Sequence, residues 1–312
     1  MMEHISVLLK ECIEALNIKE DGIYADCTLG LAGHSSEILK RLSTGHLYGF
    51  DQDKNALSYA EKRLEPFTGK FTLINDNFVN LKKDLSEYGV SSVDGILFDL
   101  GVSSPMFDDA ERGFSYRNEG PLDMRMNQDS KLSAYQVVNT YSKEDLTRIL
   151  RDYGEEKYAL RIAEKICEYR NDKTIETTLE LSGIIKSALP AKVVSSKGHP
   201  AKKSFQAIRI EVNDELNVLS KALYQALDLL KPNGRLAVIS FQSLEDRIVK
   251  NCFKEVTSIP EEYKKLPLKE SELPRSGYRL IGKKIVASKE ELSENHRAHS
   301  AVLRVIERKG TL

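Results

Sequence analysis

An aspartate closes a short apolar run where the first third of the chain ends. Ile96, Leu97 and Phe98 lead into Asp99-Leu100-Gly101, followed by Ser103, Ser104 and Pro105. An acid at the carboxyl end of a buried strand, followed by a Gly/Ser/Pro turn, is where open α/β sheets place their ligands. A second such place lies upstream, in Asp26-Cys27-Thr28-Leu29-Gly30-Leu31-Ala32-Gly33-His34. Glycines there let the backbone approach a ligand, and the following helix start offers free N–H groups. A dinucleotide cradle needs three glycines in G-x-G-x-x-G spacing. This turn has only Gly30 and Gly33, so a pyrophosphate site is poorly supported. Asp51 closes the next apolar run, at the distance where an acid takes two ribose hydroxyls. Asp76-Asn77-Phe78 follows a third run and can bond and stack on an adenine. These groups together suit S-adenosylmethionine: an adenosine without phosphate, an amino-acid tail and a cationic sulfonium that acids favour.

The elements that must position these residues alternate. Strands are expected over 23–29, 46–50, 71–74 and 93–98, with helices over 35–42, 56–64 and 78–85. Strand–helix alternation means a parallel sheet with right-handed crossovers and all the ligand-bearing turns at one edge. The alternation stops near Met106. The stretch 107–129 is rich in Gly, Asp, Asn and Arg, as an ordered loop is. Helical patterns follow over 134–139, 143–153, 158–169 and 178–188, with Ser142 and Thr177 as caps and Pro190 as a stop. The α/β pattern returns with a broken helix over 205–230 and the turn Lys231-Pro232-Asn233-Gly234. A strand is expected over 236–241, a helix over 243–253 capped by Ser243, a loop over 259–277, and strands at 284–287 and 302–306. The expected architecture is an α/β Rossmann-like sheet with an inserted all-helical domain. The sheet domain would span 1–105 and 215–312, and the insert 106–214.

Composition narrows the class. The 312 residues carry a formal net charge of −1, so the chain is not a globally basic nucleic-acid binder. Charge is uneven, however. Lys192, Lys197, His199, Lys202, Lys203 and Arg209 lie in one stretch without an acid, and the tail from Arg297 to Arg308 is also basic. Such patches suit a polyanionic partner. No run approaches the roughly 18 apolar residues of a membrane helix. The N-terminus lacks a signal-peptide pattern; it reads as an amphipathic helix with Val7, Leu8, Cys12, Ile13 and Leu16 on one side. The four cysteines, Cys12, Cys27, Cys167 and Cys252, have no zinc or redox spacing and read as reduced thiols in a cytoplasmic protein.

Longer motifs run through nearly the whole chain. They include His4-Ile5-Ser6-Val7-Leu8, Asp26 to Ser35, Asp99 to Pro105, Arg112-Gly113-Phe114-Ser115 and Gly120 to Met126. Tyr153 to Glu156, His199-Pro200-Ala201, Phe205 to Asn213 and Ser240 to Arg247 continue them. In these the chain resembles the bacterial 16S ribosomal RNA cytosine-N4 methyltransferases, the RsmH/MraW family. The resemblance implies an S-adenosylmethionine-dependent methyltransferase fold with a helical insert. It implies N4-methylation of a cytidine in the decoding region of 16S rRNA, within the small ribosomal subunit. By matching position, the cofactor residues are Ala32, Gly33, His34, Asp51, Phe78, Asp99 and Met106.

Three positions depart from the family pattern. Ala32 stands for a glycine, a mild change if its φ is negative. Met106 stands for a cofactor-contacting glutamine, so that contact is expected to be altered or lost. Gln242 stands for a histidine. Asp99, Ser103 and Ser104 are the expected catalytic set, accepting the hydrogens of the exocyclic amine. Phe114 and Tyr116 are candidates to stack on the target base. The basic stretch and tail would hold RNA phosphates. The insert's surface is a candidate for RNA contact or for a homodimer interface. Competing readings are an amino-methyltransferase acting on DNA or another RNA, a nicotinamide oxidoreductase, and a non-catalytic RNA-binding assembly factor.

Overall fold

The computed structural model describes residues 6–195, 198–260, 263 and 276–310. These form two compact units, one built from residues 1–101 and 216–312, the other from 102–215.

The first unit begins with helix α1 (Leu9–Leu16), whose buried face carries Cys12, Ile13 and Leu16. The α/β alternation then runs β1 (Ile23–Asp26), α2 (Gly33–Leu39), β2 (His46–Phe50), α3 (Lys54–Leu64), β3 (Phe71–Ile74), α4 (Leu81–Glu87) and β4 (Val93–Asp99). The chain leaves for the second unit and returns through α12 (Glu215–Leu229) into β5 (Leu230–Ser240), α13 (Ser243–Thr257), β6 (Tyr278–Leu280), β7 (Ile285–Val286), α14 (Lys289–Glu294) and β8 (Val302–Arg308). Strand order is β3-β2-β1-β4-β5-β8-β6, with β7 also paired to β8. The first five strands are parallel, and β8 runs antiparallel to β5. The order reverses between β1 and β4, so the turns after these two strands flank the switch point where α/β sheets bind ligands. Ile96, Leu97 and Phe98 are fully buried, as a central parallel strand covered on both faces requires.

The second unit holds α5 (Ser104–Asp108), α6 (Ala134–Thr140), α7 (Lys143–Asp152), α8 (Ala159–Asp172), α9 (Thr178–Ala188), α10 (Ala191–Val194) and α11 (Lys202–Asn213). It has its own apolar core, including Val137, Ile149, Ile162, Ile185 and Ile208. Ser142 and Thr177 cap α7 and α9 as expected, accepting N–H bonds from Asp145 and Glu180.

One expectation, the broken helix, is located, and three are corrected. The break in the long helix falls at Asp214, whose left-handed φ of 49° ends α11. The Lys231–Gly234 turn lies inside β5: the ladder pairs Val93 with Leu230 and Gly95 with Arg235, so the intervening residues bulge out. Gln242, not Ser243, is the N-cap of α13, and its N–H donates to the Glu245 carboxylate. The strand β6 and helix α14 went unforeseen. Most of the expected 259–277 loop, Lys197, and His4 and Ile5 lie outside the described residues. No helix among the described residues is long and apolar enough to cross a membrane.

Candidate active site at the carboxyl edge of the sheet

The turn after β1 is organised by two acids. Asp26 is buried and accepts from the Thr28 N–H at 3.2 Å and the Ser35 hydroxyl at 2.6 Å. Asp51, at the end of β2, accepts the Gly30 N–H on one oxygen and the Asp53 N–H on the other, each at 2.9 Å. Each Asp51 oxygen keeps a further lone pair, so a diol can still donate to it. Desolvation raises both carboxyls, each to a pKa of about 6, against the hydrogen bonds that favour their charge.

Ala32 has a φ of +56°, so the condition for a mild change is not met. A left-handed alanine costs roughly 1–2 kcal/mol. Its methyl is fully buried in the core, which returns about 0.8 kcal/mol. Its N–H donates to Leu29 and its carbonyl accepts from Ser36. Both backbone groups are thus engaged, and Ala32 shapes the turn. Gly33 opens α2 beneath Ser6; a Cβ there would overlap the Ser6 hydroxyl. His34 is buried, donates from Nε2 to the Val7 carbonyl at 3.1 Å, and brings Nδ1 to 3.6 Å from Asp99 Oδ2.

Asp99 ends β4 across the switch point. Its N–H donates to the Thr28 hydroxyl at 2.5 Å, which ties the two flanking turns together. Asp99 Oδ1 is buried with no hydrogen-bond partner. Desolvation, with the charges of Asp26 and Glu245 added, pushes its pKa to about 8. Gly101 follows with φ 107°, a turn that a side chain would strain. One strand further along, Glu245 is buried and accepts from the Phe241 and Gln242 N–H groups and from Gln242 Nε2. The amide nitrogen of Gln242 is thereby used, and its Oε1 is a second buried acceptor without a partner. An unmet buried acceptor costs on the order of 1–3 kcal/mol, and two near one acidic edge mark where a donor belongs. From the sequence, Gln242 reads only as a departure from a histidine and Glu245 only as part of a longer motif; an acid in the first turn of a helix was the signal for Glu245.

Beyond β3, Asn77 accepts from the Val79 N–H and donates to Gln52 at 3.0 Å, lacing the ends of β2 and β3. Phe78 is half-buried, edge-on to Phe98 with centroids 5.2 Å apart.

In the second unit, Met106 is 5% exposed within the apolar core. Its thioether offers no substitute for a polar glutamine contact. Ser103 precedes α5, and its carbonyl accepts the Met106 N–H. Phe114 is buried against Phe107 and packs under its own loop, so it cannot stack on a base. Tyr116 is half-buried and stacked on His199.

The basic stretch is partly neutralised. Arg209 is paired with Glu215 at 2.8 Å, and Lys203 donates to the Glu155 carbonyl; Lys192 and Lys202 are exposed. In the tail, Arg304 is paired with Asp246, and Arg308 donates to the carbonyls of Asp228 and Leu230. The charge of Arg304 is thereby met by a carboxylate. All four cysteines are free thiols, three of them buried.

Residues 1–309 match the profile described as the MraW methylase family. The chain belongs to this family. Ribosomal RNA small subunit methyltransferase H of Limosilactobacillus fermentum is 56% identical over 308 residues, covering 98% of both chains. The proteins of that name from Exiguobacterium sibiricum and Streptococcus mutans are 56% and 55% identical, over 99% and 98% of this chain and 99% and 97% of theirs. Among solved structures, an rRNA methylase from Streptococcus thermophilus superposes with a TM-score of 0.44 at 12% identity, covering 98% of this chain and 99% of that one.

Proposed function

We propose that the protein transfers a methyl group from S-adenosylmethionine to the exocyclic N4 of a cytidine in the decoding region of 16S rRNA, within the small ribosomal subunit. The observation that carries the reading is Asp99: a strand-end carboxylate at the switch point, with one buried oxygen lacking a donor, inside a ring of acids. Membership of a methylase family and relatives named for small-subunit rRNA methylation support the substrate class.

The residues fit this cofactor by their chemistry. S-adenosylmethionine, when bound, supplies an electrophilic methyl on a positively charged sulfur. Asp51 would accept the ribose hydroxyls, the Gly30–Gly33 turn would admit the amino-acid tail, and Phe78 would stack on the adenine. The negative potential of Asp26, Asp51, Asp99 and Glu245 would favour the sulfonium.

A cytosine amine is a poor nucleophile, because its lone pair is delocalised into the ring. It carries two hydrogens. Asp99 Oδ1 accepts one of them, and Gln242 Oε1 is suited to the other. Acceptors placed this way draw the nitrogen out of conjugation and aim its lone pair. As the N–C bond forms and the C–S bond breaks, the amine must lose a proton. Asp99, with a pKa of about 8, is matched to take it. No cysteine nucleophile is required. The target base has to leave its stack first, and the helical unit would select the RNA.

The test is transfer of labelled methyl to small subunits lacking the modification, followed by nucleoside analysis. N4-methylcytidine is the expected product. Label appearing only on DNA, or no transfer with cofactor bound, would overturn the reading in favour of another acceptor or an assembly factor.

A further inference from the structure

In the helical unit, Tyr116 carries cationic or titratable groups on its ring that the methyl-transfer site does not use. The His199 ring stacks on Tyr116 with centroids 4.4 Å and planes 23° apart. The Arg117 guanidinium lies 5.8 Å from the Tyr116 centroid, and Phe205 meets the same ring edge-on. His199 Nδ1 accepts from the Ala201 N–H at 3.3 Å, so the ring proton sits on Nε2. Burial and then the charges of Lys186 and Arg117 hold His199 below its usual pKa, which keeps it a neutral N–H donor at pH 7. Lys186 lies in the last turn of α9, and the helix dipole accounts for part of its placement. The cation–π contact with Tyr116 accounts for part of Arg117's placement. Among the described residues neither cation meets a carboxylate. Two cations and an N–H donor thus come together from three chain segments, although like charges repel. An anion would relieve that repulsion.

We propose that Arg117, Lys186 and His199 form a subsite for one phosphate of the RNA backbone, with Tyr116 as the rigid platform that holds Arg117 and His199. This rests on the reading that the substrate is RNA. Arginine offers a bidentate fork, lysine a point charge, and His199 Nε2–H a neutral directional bond. A phosphate contact fixes register without reading sequence.

The test measures binding of a short single-stranded RNA by fluorescence anisotropy across salt concentrations. The double variant Arg117→Gln/Lys186→Gln is compared with Lys157→Gln/Lys165→Gln, a charge-matched pair elsewhere on the same unit. The site pair is expected to flatten the log–log salt slope by about 0.7, the contribution of one phosphate contact on a single strand. The control pair leaves the slope near wild type. His199→Phe keeps the stack and removes the N–H. It is expected to weaken binding several-fold with the slope unchanged. Equal slopes for the two double variants, or a wild type that binds no RNA, would overturn the proposal. Equal loss of polyglutamate binding would reassign the patch to acidic protein surfaces. The methyl-transfer reading fails separately, through absence of labelled product with the wild type, whatever the slopes show.

Discussion

Asp99 combines a buried unpartnered oxygen with a pKa raised to about 8. Because the folded value exceeds the unfolded one, protonated Asp99 stabilises the fold below about pH 4. That contribution is lost progressively as pH rises through about 8. Asp99→Asn is always neutral and should match wild type in melting temperature near pH 4. It should exceed wild type in melting temperature at pH 8 and above. Its methyl transfer should fall at least ~100-fold, since Asn cannot take the proton. A variant with near-normal turnover would sink the proposed chemistry. Asp51→Ala should chiefly weaken cofactor binding, by roughly 10–100-fold for two lost hydrogen bonds; calorimetry giving unchanged affinity would remove the ribose role. Gly33→Ala should destabilise through overlap with the Ser6 hydroxyl. Ser6→Ala in the same chain should restore part of the loss, and a purely additive cycle would mean the strain lies elsewhere.

The amino edge of the sheet is fastened by Asp94, near the start of β4. It is buried, receives Lys19 and Lys231 at 2.8 and 2.7 Å, and accepts the Ile23 N–H at 3.0 Å. Burial opposes its charge, but these donors outweigh it and hold the carboxyl below its usual range. One residue thus joins the loop before β1, the start of β1 and the β5 bulge. Asp94→Ala should cost about 2 kcal/mol at neutral pH, less than a fully buried pair because both lysines can re-solvate. With its pKa depressed, this stabilisation is present above about pH 4 and lost as pH falls through the folded value. Urea titrations at pH 7 and pH 3 should therefore show the wild-type advantage shrinking with acid. A constant gap would assign the cost to packing alone.

Across the whole molecule, a chain of net charge −1 concentrates buried acid at one edge of its sheet. Asp26, Asp51 and Asp99 all have pKa values raised by desolvation, to about 6, 6 and 8. A sulfonium favours their ionised forms; S-adenosylhomocysteine, lacking that charge, does not. The ratio of affinities for S-adenosylmethionine over S-adenosylhomocysteine should therefore grow from pH 6 to pH 9 and level off above about 8. Calorimetry in buffers of differing ionisation enthalpy would also detect the protons released. A pH-independent ratio would mean the acids do not face the sulfur.

Periodicity was enough to find the strands β1 to β4 and the helices α6 to α9, because local patterning and side-chain caps such as Ser142 and Thr177 dominate there. The candidate residues Gly33, Asp51 and Asp99 were legible for a related reason: each sits where a short apolar run gives way to a turn. Their states were not legible. The raised pKa of Asp99 comes from burial and from Asp26 and Glu245, which are distant in sequence, and the positive φ of Ala32 is set by the turn it closes. The Lys231–Gly234 signal reads as a turn because propensity is local, while pairing with β4 on both sides of it makes it a bulge within one strand. Free-looking cations such as Arg209 and Arg304 turned out to be paired, since charge partners are chosen by packing. The subsite of Arg117, Lys186 and His199 draws on three separated segments, so only the folded chain could assemble it.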